Sequence, residues 1–207
     1  MMILAKTTTK LGPQHHGRKM SLKAFEFAQV QEGWLVELAR GYLVVSEVAN
    51  YLHAMRIIAI TRLLWQYEAT HPGVIHAILG SMECKLLIPE FHSERHPDIS
   101  VYLTAPKGRL DRALWRRWIP ELVIEVVSEN SRDRDYTEKR DEYWTLGVKE
   151  YWIVDAKLQQ ALILKRGRTQ WTEKTLHAED AGETKLLPGL KMLCREVFEA
   201  AGPERDA

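Results

Sequence analysis

The chain has 207 residues, enough for one compact domain and short for two. Apolar residues make up 45% and charged residues 28%, the balance of a chain with a sizeable core rather than a disordered one. Lys and Arg number 29 against 28 Asp and Glu, a net charge of +1 that excludes a protein coated in positive charge but not one with a local basic groove. Cys84 and Cys194 match neither a zinc spacing nor a disulfide framework, so reduced thiols in a cytoplasm are expected. No apolar run approaches the roughly 20 residues that span a bilayer, so no membrane partner is expected.

Residues 1–25 are basic at Lys6, Lys10, Arg18, Lys19 and Lys23 and hold no acid. They read as a flexible N-terminal arm, with His15 and His16 solvated, and residues 26–202 read as a single domain. Residues 34–46 read as two short strands around a bend near Arg40-Gly41. A helix follows from its cap Asn50 to about Ala69, apolar over much of its circumference, and His71-Pro72-Gly73 stops it. Val74–Leu79 and Glu83–Ile88 read as antiparallel strands joined at Gly80-Ser81, followed by Ile99–Leu103.

Between residues 104 and 120 the chain turns basic: Lys107, Arg109, Arg112, Arg116 and Arg117 stand against Asp111, with Trp115 and Trp118 interleaved. Residues 121–127 are then β-branched and apolar on both faces, the pattern of a central strand. A helix from Asp133 to about Leu146 follows, then a strand at 150–154 and two strands around Arg166-Gly167-Arg168. A short C-terminal helix spans 194–200. The expected class is α+β (α/β): a mixed, mostly antiparallel sheet flanked by helices.

Glu125 interrupts the central apolar strand. An unpaired carboxylate buried there would cost several kcal/mol, so it is protonated, paired or metal-bound, or else it shares a partly exposed face with Val123. Asp98, after Pro97, opens the strand 99–103. If that strand pairs with 121–127, the two acids meet and supply the hard oxygen ligands of Mg²⁺. Lys139 has Asp135 at i−4. It is either half of a helix-surface ion pair or an ammonium that reaches the carboxylates. The basic loop is either a solvated segment whose tryptophans pack on the core or at a dimer contact, or a nucleic-acid grip through Arg109, Arg112, Arg116 and Arg117.

The stretch Pro97-Asp98-Ile-Ser-Val, then 121–128, then Asp135, Lys139 and Tyr143, then Gly147 to Asp155, resembles the Uma2 family of restriction-endonuclease-like proteins. The likeness covers roughly residues 34–200 and includes Leu187-Pro188-Gly189-Leu190, Glu37 and His53. It implies a PD-(D/E)XK nuclease-like core, with Asp98 and Glu125 as metal-binding acids for Mg²⁺ or Mn²⁺. Where that signature has lysine, two residues beyond Glu125, this chain has Val127, and the resemblance offers Lys139 as the stand-in. Glu37 and His53 are supporting ligands or bases on this reading, or a buried structural pair, and Asp135 supports Lys139. The implied function is a metal-dependent endonuclease acting on nucleic acid, DNA above all, with a homodimer expected by analogy. The alternative is a catalytically silent module that binds nucleic acid or a protein.

Overall fold

In the computed structural model, which describes residues 10–47 and 50–202, the bend at Arg40-Gly41 is a two-residue hairpin turn. Both residues have positive φ, 49° and 84°, the backbone that matches the twist of flanking antiparallel strands. The turn joins Trp34–Ala39 to Tyr42–Glu47, with Ala39 opposite Tyr42. This hairpin is the centre of the first of two compact units, made of the N-terminal segment to residue 48 and residues 87–95. Ser93–Arg95 pairs with its first strand at Leu38 and Glu94. Of the predicted arm, residues 1–9 lie outside the described residues, whereas 10–25 hold regular structure. Lys10–Leu11 pairs with Gln29–Val30, and Ser21 caps the helical turn Leu22–Phe25, which buries Leu22 and Phe25. His15 is buried, with Nδ1 accepting from Gly12 N–H, and His16 Nδ1 accepts from Val45 N–H. These apolar anchors and ring contacts, diluted among lysines in the sequence, are what fold the segment.

The second unit, residues 49–86 and 96 onward, is built on a six-stranded sheet. Its strands are β1 (Ala77–Gly80), β2 (Ile99–Tyr102), β3 (Leu122–Val126), β4 (Glu150–Asp155), β5 (Gln160–Arg166) and β6 (Trp171–His177). They lie side by side in chain order. Only β3 and β4 are parallel, because a helix crosses over between them; every other neighbouring pair is antiparallel. The expected hairpin at Gly80-Ser81 does not form. Ala77–Gly80 pairs with Ile99–Tyr102, while the Glu83 carboxylate and Cys84 N–H close a turn onto Gly80.

Helix α1 (Tyr51–Thr70) starts where expected, with Asn50 Oδ1 accepting from His53 N–H at 2.9 Å. Of its apolar residues only the stripe Ile60, Leu64 and Tyr67 is buried, and Trp65 and Ile58 stay exposed. One sheet face can cover only one stripe of a helix. Helix α2 (Lys139–Leu146) is entered through a π-helical turn, Arg134–Glu138, and stopped by Gly147 at φ 100°. The short α3 (Cys194–Phe198) completes the unit.

Strand alternation then assigns the faces. Ile99, Val101, Ile124, Val126, Trp152 and Val154 join the core that contains Ile60, Leu64 and Tyr67 of α1. Val123, Glu125, Tyr151 and Ile153 point the other way, where Tyr143 of α2 meets Tyr151 edge-on with ring centres 5.0 Å apart. Glu125 and Val123 do share a face, and α2 covers it. No helix among the described residues is long and apolar enough to cross a membrane.

Candidate active site

Register brings the two predicted acids together. Ile99 lies opposite Ile124 on antiparallel strands, so Asp98, one residue before, falls beside Glu125, one residue beyond. Pro97 has no N–H to give, and the ladder continues through the Asp98 side chain instead. Asp98 Oδ2 accepts from Val126 N–H at 2.8 Å, while Asp98 N–H approaches Glu125 Oε2 at 3.4 Å.

His53, in the first turn of α1, closes one side. Its Nε2 lies 3.2 Å from Asp98 Oδ2 and 2.8 Å from the Val126 carbonyl. Both neighbours are acceptors, so Nε2 carries the proton. Burial by itself would lower the pKa of this imidazole. The hydrogen bond and charge of Asp98, the Val126 carbonyl and the charge of Glu125 outweigh that and hold it above 6.5.

The other side is a stripe of residues at i, i+4 spacing along the turn and helix after β3. Ser131 donates to Asp135 Oδ2 at 2.6 Å, and Asp135 Oδ1 meets Lys139 Nζ at 2.8 Å. Lys139 Nζ lies 3.0 Å from Glu125 Oε1, and Tyr143 OH donates to that same oxygen at 2.6 Å. Tyr151 OH, from β4, donates to the Asp135 carbonyl. Asp135 is the strongest case of burial here. Loss of solvent raises its pKa, and Lys139 and Ser131 only partly offset the rise. Side-chain exposure falls from 16% at Asp98 to 3% at Glu125 and 1% at Asp135. The centre therefore opens to solvent at Asp98 and His53, with the Glu125–Lys139–Asp135 chain behind.

Four predicted residues, Asp98, Glu125, Lys139 and His53, thus meet at one point, with Asp135 one contact away. Val127, in the signature lysine position, donates its N–H to Val154 and brings no charge. Tyr143 and Ser131 are absent from the predicted site, although counting by fours from Lys139 reaches Tyr143, and from Asp135 reaches Ser131. The π-helical turn has no counterpart in the sequence pattern; such turns occur often at functional sites.

Glu37 belongs to the first unit, where Arg95 reaches it at 3.4 Å with a fully buried side chain. The basic loop lies elsewhere on the second unit. It joins the end of β2 to the start of β3, whereas Asp98 precedes β2 and Glu125 stands near the end of β3. The strand between Glu121 and Glu125 is about 13 Å long at roughly 3.3 Å per residue. Sequence adjacency to β3 therefore does not carry Arg109, Arg116 and Arg117 to the acids, and the side chain of Arg112 lies outside the described residues. Arg117 turns onto the Arg109 carbonyl and Asp111. Trp118 stacks on Tyr102, ring centres 3.9 Å apart, and donates to the Thr104 carbonyl, so Trp118 is a packing residue.

Asp98, Glu125 and the Val126 carbonyl are hard oxygen donors converging on one end of β3, a set that suits Mg²⁺ or Mn²⁺ completed by water and phosphate oxygens. No group of three or more His, Cys, Asp or Glu among the described residues is arranged to hold a metal by itself.

A family model described as "Uma2: Putative restriction endonuclease" matches residues 21–195. Among solved structures, a protein of Anabaena variabilis ATCC 29413, titled a putative nuclease belonging to DUF820, superposes with a TM-score of 0.69 at 14% identity. The match covers 88% of this chain and 99% of that one. At that identity the likeness shows the fold: a mixed α+β core with a mostly antiparallel sheet flanked by helices. No curated protein matches.

Proposed function

The chain belongs to the Uma2 family, and on that premise we propose that it is a metal-dependent nuclease hydrolysing phosphodiester bonds, DNA above all. The observation that carries this is the pairing of Asp98 with Glu125 by strand register, with Lys139 Nζ 3.0 Å from Glu125. Asp98, Glu125 and the Val126 carbonyl would hold Mg²⁺ or Mn²⁺. Such an ion, when bound, polarises the phosphate and acidifies a water.

The remaining work belongs to side chains. His53 Nε2–H holds the Asp98 carboxylate by one oxygen and fixes its orientation toward the opening. Lys139, fixed between Glu125 and Asp135, supplies a positive charge where the signature lysine is missing; it orients the attacking water and offsets charge on the phosphate. Asp135 and Ser131 hold Lys139 in place. Arg109, Arg116 and Arg117, at the other end of β3, would meet the nucleic-acid backbone several phosphates away.

Cleavage of plasmid, single-stranded DNA and RNA with Mg²⁺ or Mn²⁺ tests the reading, with Glu125→Ala as control. The wild type should cut, and Glu125→Ala should lose about 10²-fold or more. Calorimetry with Mn²⁺ should give binding to the wild type and none to Asp98→Ala. A wild type that neither binds the ion nor cuts is the silent binding module, the reading that Val127 favours. Lys139→Ala cutting as fast as wild type under saturating Mg²⁺ removes that residue from the mechanism.

A further inference from the structure

A second set of charges stands beside the acidic centre, at the same end of the parallel strands β3 and β4. Asp155, the last residue of β4, is fully buried. Arg132, on the turn after β3, grips it with both Nη atoms, the longer contact at 3.1 Å, and Tyr136 OH also reaches it at 3.4 Å. The Arg132 side chain still keeps 31% of its surface exposed. Two residues on, Arg134 opens the π-helical turn. Its Nε is buried and meets no acceptor among the described residues.

Helical spacing places the two arginines. Ser131, Asp135 and Lys139 form the stripe that leads to Glu125. Arg132 and Tyr136, also four apart, share the flank toward Asp155 on β4. At about 100° per residue, Arg134 falls on the opposite flank of the stripe. In the sheet β3 lies between β4 and β2, so that flank is the side of β2 and Asp98. By this spacing the two arginines fall on opposite flanks of the stripe that leads to Glu125.

Their chemistry matches one class of ligand. Lys139, Arg132 and Arg140 each have a carboxylate partner within this chain. A buried guanidinium N–H without an acceptor is a cost that an incoming oxyanion removes. A guanidinium has five donors; Asp155 occupies part of the Arg132 fork and leaves the exposed part for a second oxygen. Resting on the nuclease reading above, we infer that Arg134 and Arg132 hold the backbone phosphates on either side of the scissile one, without regard to base sequence. Arg134 turns its unpartnered Nε edge, buried in the free protein, outward onto a phosphate oxygen. Arg132, locked in place by Asp155, presents its remaining donors to the next phosphate along.

Fluorescence anisotropy of labelled duplex and single-stranded DNA and of RNA, in chelator and over a salt series, tests this without any cleavage. Arg134→Gln should bind roughly tenfold more weakly. Its log–log salt slope should be shallower by about 0.9 on duplex DNA or about 0.7 on a single strand, one phosphate contact fewer. Its unfolding midpoint should not fall, since no protein partner is lost. Arg132→Lys keeps the charge and a contact with Asp155, so it should keep the slope while losing affinity severalfold. Arg134→Gln with wild-type affinity and slope overturns this inference and leaves the nuclease reading standing. A wild type that binds no oligonucleotide of any kind overturns both.

Discussion

Strand β3 and the residue before it carry two nearly buried glutamates, Glu121 and Glu125, four positions apart, and their surroundings could hardly differ more. Glu121 accepts from Leu103 N–H at 2.8 Å and Thr104 OH at 3.1 Å, with the exposed Lys149 at 3.7 Å. It closes the end of β2 as a cap closes a helix. Glu125 meets a phenol and a buried ammonium, and that ammonium is shared with a second buried carboxylate. Burial of a carboxylate therefore does not mark function. The distinction lies in whether its partners are backbone and solvent-screened groups or a chain of buried titratable side chains behind an opening at Asp98 and His53.

Deleting the cation separates the two ends most strongly. Lys139→Met leaves Glu125 and Asp135 buried without their charge partner and should cost about 3–5 kcal/mol in denaturant unfolding. Lys149→Met, at a cation 57% exposed, should cost about 0.5 kcal/mol or less. Equal losses at the two lysines would break the contrast.

Tyr143→Phe comes next. It removes a donor 2.6 Å from a buried carboxylate, a loss of about 1.5–3 kcal/mol by thermal or chemical unfolding. Glu121→Gln should cost only about 0.5–1 kcal/mol, because the amide oxygen still accepts from Leu103 N–H. It should also leave Mn²⁺ affinity unchanged, whereas Glu125→Gln should abolish it in calorimetry. A Glu121 variant that loses metal binding would put the site at the wrong end of the strand.

The smallest effect concerns Cys84. Burial pushes its thiol above 9.0, and the charge of Glu125 adds to the rise. The thiolate is the reactive form, so native Cys84 should resist iodoacetamide at pH 8 and react only at higher pH or when the chain unfolds. Glu125→Gln should speed its labelling slightly, and Glu121→Gln should not.

Much of this centre was legible in the chain. A lone acid in a β-branched run marks Glu125, Pro-Asp before a strand marks Asp98, and i, i+4 spacing pairs Asp135 with Lys139. The same spacing, carried one step further each way, reaches Ser131 and Tyr143. The far position of the arginine loop was not read from the chain; it follows from the antiparallel pairing of β2 with β3. A loop joining two antiparallel strands lies at the opposite end from the residue before the first strand and those ending the second. The regular structure of residues 10–25 was hidden because charge composition says nothing of a few apolar anchors. The π-helical turn was hidden because nothing in the local residue pattern marks it, and the Tyr151 hydroxyl that reaches its Asp135 carbonyl comes from β4.

By itself the sequence determined which strand is central, which carboxylates its burial makes expensive, and that the signature lysine is missing at Val127. The first two follow from local patterning and from the cost of burying charge, the third from the family resemblance. Only the tertiary structure decided the register that sets Asp98 beside Glu125, the face of β3 that α2 covers, and the helix that returns an ammonium to the site. Each depends on pairing across 14 to 27 residues, from Glu125 on to Lys139 and back to Asp98. Loop closure and packing over such spans are settled by the whole sheet.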